Sequence, residues 1–164
     1  MRIIITGSPG TGKTTVAKAL GKSTGHKVLN EKQFAMEKGI GKWDAEENEL
    51  VIPLQAFASE VNKLLERESK VILEGHLLCE LRLKADFVVV IRVHPEVLEA
   101  RLEGRGYKAD KVQDNVFCEG IDYCKKHALR NYGNEKVVEV QCGKSIKETK
   151  GNIIRGLKER GAKI

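Results

Sequence analysis

Five short apolar runs set the rhythm of the chain: Arg2–Thr6, Val28–Leu29, Val71–Glu74, Phe87–Val93 and Val137–Gln141. Each is short enough for a strand, and patterns with apolar residues at helical spacing fill the gaps between them. Continuous runs such as Val88-Val89-Val90-Ile91 predict strands buried on both faces, which is the signature of a parallel sheet covered by helices. Helix starts are marked by Asn30 with Gln33, by Pro95 just after His94, by Asp110 with Gln113, and by Ser145 with Glu148. The expectation is a doubly wound α/β domain of five strands and about six helices. Two segments, Lys38–Leu50 and Gly104–Asp110, carry no strong core pattern and are candidates for moving parts. No internal repeat, low-complexity tract or Pro/Gly/Ser linker interrupts the pattern.

The first strand runs directly into Gly7-Ser8-Pro9-Gly10-Thr11-Gly12-Lys13-Thr14-Thr15, and a helical pattern of Val16, Ala17, Ala19 and Leu20 follows. This is G-x-x-x-x-G-K-[ST] between a strand and a helix, the context a P-loop requires. Glycines at 7, 10 and 12 let successive backbone N–H groups curl around a phosphate. Lys13 supplies a point charge and Thr14 a hydroxyl for Mg²⁺. The stretch predicts a nucleoside triphosphate site.

A second constellation is Val71-Ile72-Leu73-Glu74-Gly75-His76. A carboxylate at the end of a buried strand can hold Mg²⁺ through its waters, or orient an attacking water, on the sheet edge that carries the phosphate loop. A Glu there is otherwise only a solvated terminus. His76 either assists the chemistry or lines the loop. The third constellation is Arg101-Leu102-Glu103-Gly104-Arg105-Gly106-Tyr107. Arg101 and Arg105 are four apart and are expected on one helix face, with Val97, Leu98 and Leu102 packing inward. Arg105 lies between two glycines, a hinge for a closing lid, and its planar fork suits charge on a transferring phosphoryl group. The plain alternative is a surface pair bonded to Glu99 or Glu103.

Composition narrows the class. The chain has 164 residues, 41% of them hydrophobic, enough for one domain with a real core. Nothing approaches a bilayer-spanning run, and the first apolar stretch leads into a phosphate loop rather than a cleavage site, so a soluble, cytoplasmic protein without a signal peptide is expected. Cys79, Cys118, Cys124 and Cys142 form no C-x-x-C pair and are expected as buried thiols. His26, His76, His94 and His127 lack zinc-ligand spacing. A net charge of +6 suits a protein that handles polyphosphates or works beside RNA, while a charged fraction of 32% also fits an ion-paired, heat-adapted surface. In the last helical pattern Lys144, Lys147, Lys150, Arg155 and Lys158 line a basic side opposite an expected buried stripe of Ile146, Ile153, Ile154 and Leu157. That side is an RNA surface or an ordinary solvated face. Trp43 stacks on a base, anchors a partner, or sits in a small satellite core.

Taken together, these residues resemble the nucleoside monophosphate kinases, and within them the adenylate kinase isoenzyme six family of ribosome-assembly adenylate kinases. The stretches that carry the resemblance are Gly7–Thr15 with Pro9, Asp44-Ala45-Glu46-Glu47, Glu74-Gly75-His76, Arg101–Tyr107, and Asp114-Asn115-Val116-Phe117-Cys118-Glu119. The resemblance implies a P-loop NTPase fold with a five-stranded parallel sheet, a monophosphate-binding segment at about 30–53 and a lid at about 104–114. It implies ATP and Mg²⁺ at Gly10, Gly12, Lys13, Thr14 and Thr15, Glu74 in the Mg²⁺ shell, Arg105 in the lid, adenine near Gly143-Lys144-Ser145, and AMP under Asn30–Pro53. It further implies a role in small-subunit ribosomal RNA processing beside the eleventh small-subunit ribosomal protein. In two places the chain departs from the family pattern. Met36 stands where an arginine usually grips the AMP phosphate, leaving Lys32 or Lys38 to reach it, and Glu74 stands where an Asp is usual. The expected activities are therefore adenylate kinase with ATPase, with an assembly ATPase or a kinase for another small acceptor as alternatives.

Overall fold

The three isoleucines of β1 (Arg2–Thr6) have no solvent exposure, and the sheet is built outward from them. The computed structural model describes all 164 residues. Its main sheet contains β1, β2 (Lys27–Asn30), β5 (Val71–Glu74), β6 (Phe87–Arg92) and β7 (Val137–Gln141) in the order β2-β5-β1-β6-β7, all neighbours parallel. Ile4 pairs in register with Leu73 on one side and Val88 on the other. The order reverses across β1, and that switch point at the carboxyl ends of the strands is where open α/β sheets bind ligands.

Alternation along each strand sends side chains to two separate cores. Ile4, Leu73, Val88 and Val90 face α2 (Glu31–Glu37), α3 (Leu54–Arg67) and α6 (Tyr123–Tyr132), packing with Phe34, Phe57, Val61, Leu65 and Ala128. Ile3, Ile5, Ile72, Val89 and Ile91 face α1 (Lys13–Thr24) and α7 (Ile146–Glu159), packing with Val16, Leu20, Ile153 and Leu157. Each such side chain contributes about 1.5–3 kcal/mol on burial, so both layers are needed to hold the central strands. The edge strand β7 alone exposes alternate residues, Glu139 and Gln141. A third, small cluster of Val93, Leu98, Leu102 and Val112 joins α4 (Pro95–Glu103) to α5 (Ala109–Gly120).

The P-loop α/β class and all five sheet strands match the sequence reading, with ends shifted by a residue. Four details differ. Lys38–Leu50, for which no strong core pattern predicted an element, contains most of an antiparallel hairpin, β3 (Lys42–Asp44) with β4 (Glu49–Val51). Its turn is made by Asp44, whose side chain accepts from Glu46 N and Glu47 N, and by Asn48 at φ +52. Helix α5 begins at Ala109 rather than behind an Asp110 cap; Asp110 accepts only from its neighbour Lys111 N, at 2.8 Å. The proposed buried stripe of α7 holds for Ile153 and Leu157, but Ile146 in the first turn is 49% exposed. Trp43 is 60% exposed on the hairpin and belongs to no core cluster. No helix is long and apolar enough to cross a membrane.

One ion pair anchors the start of the sheet. Asp86 accepts from Arg2 N at 2.7 Å and pairs with the Arg2 guanidinium at 2.5 Å. The hydrogen bond from Arg2 is the main force holding the Asp86 carboxyl below its ordinary value. A depressed folded pKa adds stability above the unfolded value, lost as pH falls through the folded one. Asp86→Asn should therefore cost about 0.5–1 kcal/mol at pH 7, a modest figure because the pair is partly exposed. In urea titrations the gap from wild type should be full above the ordinary aspartate pKa and shrink as pH falls through the lowered folded value.

Candidate nucleotide site

The chain leaves β1 through Gly7, whose φ of +146° and contact with β6 exclude a side chain: a Cβ would lie 2.4 Å from Ile91 O. The loop ends at Gly12, φ +89°, which caps α1 without a side-chain acceptor. The first amides of a twelve-residue helix therefore point into the loop unsatisfied by a cap, the arrangement that attracts a phosphate. Lys13 is folded under the loop, donating from Nζ to Gly7 O at 2.8 Å and Ser8 O at 2.9 Å. Burial pushes its ammonium below the ordinary lysine value, opposed by the charges of Glu31 and Glu74. Of three ammonium protons, one remains for a ligand oxygen.

Glu74 is 2% exposed at the end of β5. Its Oε1 accepts from Thr14 Oγ1 at 2.9 Å and from Asn30 Nδ2 at 2.6 Å, which leaves Oε2 without a protein donor. A carboxylate held by one oxygen beside a P-loop hydroxyl, in a chain with oxygen donors on both, fits a hard divalent cation such as Mg²⁺. Asn30 does two jobs. Its Oδ1 accepts from Lys32 N and Gln33 N and so caps α2, while its amide holds Glu74.

Glu31, the next residue, is 1% exposed and closes the same junction. It accepts from His76 N at 2.9 Å and Leu77 N at 3.0 Å, and His76 Nδ1 lies 2.7 Å from its Oε1. Gly75 is obligatory beneath it, since a Cβ would fall 1.9 Å from Glu31 Oε2. On the other side of the loop, buried Glu119 at the end of α5 accepts from Ser8 Oγ, Arg92 Nε and Val93 N. Arg92 also reaches Asp122 and Glu139. The phosphate loop is thus braced from both flanks by carboxylates shielded from water.

Three hollows open around it. Gly10, Gly12, Lys13, Thr14, Thr15 and Arg105 line one of about 100 Å³, the scale of a phosphate group. A second, of about 560 Å³, extends from Gly10, Gly12 and Thr15 past Arg101 and Arg105 to Gly143, Lys144, Ser145 and Ile146. A third, of about 470 Å³, lies on the opposite flank between Lys32, the hairpin tip Glu47–Glu49, His76 and the segment Arg105–Lys108, with Lys111 and Asn115 of α5. Arg105 is the one residue common to all three.

This arrangement has relatives. Residues 3–122 match the AAA domain family. A protein of Pyrococcus furiosus named "Putative adenylate kinase" is 39% identical over 98% of this chain and 88% of its own length. One of the same name from Thermococcus gammatolerans is 39% identical over 99% and 88%. The chain belongs to this P-loop kinase family. Solved structures at lower identity share the fold: a shikimate kinase from Bacteroides thetaiotaomicron has a TM-score of 0.69 at 19% identity, covering 99% of both chains. A gluconokinase from Sinorhizobium meliloti has 0.64 at 15%, covering 96% of this chain and 91% of its own.

In this kinase the residues singled out from sequence gather at one sheet edge. Gly10, Gly12, Lys13, Thr14 and Thr15 form the phosphate hollow, Glu74 touches Thr14, and His76 and Lys144 line the two flanking cavities. Three expectations fail. Arg101 and Arg105 do not share a helix face, because α4 stops at Glu103, Gly104 caps it, and Gly106 turns at φ +74°. Val97 points to solvent at 45% exposure, whereas Leu98 and Leu102 are buried. Of the four cysteines, Cys79 and Cys124 are buried while Cys118 and Cys142 are only partly covered.

Sequence reasoning missed Glu31 and gave Glu119 no role. A Glu in the first turn of a helix reads as a dipole partner, and nothing local signals that it faces another loop. Removing the brace at Glu119 leaves Arg92, whose side chain is 13% exposed, with one buried partner fewer. Glu119→Ala should cost about 1–3 kcal/mol in guanidinium unfolding, the penalty for leaving the buried donors of Ser8 and Val93 unsatisfied while Arg92 keeps Asp122 and Glu139.

Proposed function

We propose that the protein is an adenylate kinase, converting ATP and AMP to two ADP, with an ATPase side activity. The observation that carries this reading is Arg105, which borders the phosphate hollow and both flanking cavities at once. A group transferred between a donor in one cavity and an acceptor in the other passes that guanidinium. In this reading the triphosphate lies on the Gly7–Thr15 loop with its base toward Gly143-Lys144-Ser145, and the monophosphate lies in the cavity beside Lys32 and His76. An oxygen of the monophosphate attacks the γ-phosphorus in line, and the bond to the β-bridging oxygen breaks to release ADP. Lys13 and Arg105 hold charge on the transferring group, so the protein contributes mainly position and electrostatics. Thr14 and Glu74 would hold Mg²⁺, which neutralises the β- and γ-phosphate oxygens. The 30–53 segment and the turn Gly104–Lys108 with the start of α5 act as acceptor arm and lid.

The reading extends to the small ribosomal subunit, with its eleventh protein and pre-ribosomal RNA as partners in the cytoplasm. The family resemblance supports this, as do the unpaired basic side chains of Lys144, Lys147 and Lys158 and the exposed Trp43 and Phe117. If that basic side meets RNA, binding weakens steeply with salt, and binding that is absent at every salt concentration sinks that part of the reading.

A second reading is an assembly ATPase with little transfer, and it is favoured by Met36. That side chain is 66% exposed and lines neither flanking cavity.

The deciding experiment follows ADP and free phosphate separately from ATP and Mg²⁺, with and without AMP and the other monophosphates. AMP-dependent ADP formation exceeding phosphate release is expected, and phosphate release indifferent to AMP would replace the kinase with the ATPase. Lys13→Ala should lower both by about a hundredfold or more, since it removes a charge that the transition state requires.

A further inference from the structure

We infer that Lys32 is the residue that binds the phosphate of the acceptor nucleotide, a charge supplied one helical turn before the position occupied by Met36. The inference rests on the kinase reading above and names the group that makes its acceptor cavity selective for a phosphorylated ligand.

Among the cations that α2 and α5 bring near the cavity, elimination leads to Lys32. Lys38 is turned away, its ammonium 5.7 Å from the Phe34 ring centroid and 4.0 Å from Glu60. Lys111 lines the cavity but is committed to the hairpin tip, donating to Glu47 O at 2.9 Å and lying 3.2 Å from the carboxylates of Glu47 and Glu49. Lys32 lines the same cavity, is exposed, and has no carboxylate within ion-pair distance. Arg105 and Lys108 face it from the lid side, so cations converge on the space from two separate elements.

The backbone beneath Lys32 is the most tightly held part of α2. Asn30 caps Lys32 N and grips Glu74, and Glu31 is bonded to the backbone of His76 and Leu77. The base of the Lys32 side chain is therefore registered to the metal-binding edge of the sheet, and only its stem is free to adapt. Position also argues against a structural role. A cation in the first turn of a helix opposes the macrodipole, so Lys32 costs α2 stability instead of adding to it. Such a residue, unpaired and beside a cavity lined by other cations, is suited to a dianionic ligand.

The test is calorimetric binding of AMP, with adenosine as the phosphate-free control, to wild type, Lys32→Gln and Lys32→Gln/Met36→Arg. Lys32→Gln should weaken AMP about tenfold, the loss of one charge-assisted hydrogen bond, and leave adenosine unchanged. Its melting temperature should equal or exceed that of wild type, which separates lost contact from lost fold. Met36 lies one helical turn on, outside the cavity lining, and the longer arginine side chain there should recover part of the AMP affinity without altering adenosine. Equal AMP affinity in wild type and Lys32→Gln would overturn the assignment while the kinase reading stood. Failure of wild type to bind AMP at all would overturn the kinase reading and this inference together.

Discussion

The junction between the end of β5 and the start of α2 is the constraint from which the rest of the site follows. Two adjacent residues, Asn30 and Glu31, use every strong polar atom they carry to join helix to strand end. Glu74 and Glu31 are both nearly free of solvent, so each carboxylate must be satisfied by donors of defined position. Those donors are the P-loop hydroxyl of Thr14, the amide of Asn30, and the backbone and ring of His76. Three elements far apart in sequence are thereby locked into one geometry, with Gly75 providing the only residue small enough to let them meet.

Charges divide by function. At the base of the site they are buried and paired: Glu119 with Arg92, and Lys13 with loop carbonyls. At the rim, Arg105, Lys32 and Lys108 have no carboxylate partner in the protein and remain exposed. Buried pairs give rigidity because breaking one leaves an uncompensated charge, whereas solvated cations can rearrange around an anion at little cost. A phosphate loop fixed from both flanks, under an exposed cationic rim, is what positional catalysis of phosphoryl transfer asks of a scaffold. The hairpin tip joins that rim through Lys111, whose ammonium is held by Glu47 and Glu49.

Much of this was legible in the linear pattern. The isoleucine, leucine and valine runs mark the strands because burial on both faces of a parallel sheet leaves little place for polar residues, and Glu139 and Gln141 of β7 fall at its exposed positions. The P-loop announces itself because the close approach of backbone to phosphate admits few residue types. Caps at Asn30 and Ser145 were readable because their hydrogen bonds are local. The hairpin was not, because its strands are three residues long and partly exposed, although Asp44 and Asn48 held the turn chemistry.

The amino-acid order by itself determined the elements, the nucleotide loop, and which residue types stand at the carboxyl edge of the sheet, since all of these depend on neighbours within a few positions. Only the tertiary structure decided that Glu31 faces His76, that Glu119 braces Ser8, that Arg105 leaves its helix to border three cavities, and that Lys32 rather than Lys38 lines the cavity beside His76. The carboxylate contacts among them join side chains far apart in sequence, 45 residues for Glu31 with His76 and 111 for Glu119 with Ser8. No local periodicity encodes them, because the partner of a buried charge is chosen by which strand ends the fold sets side by side.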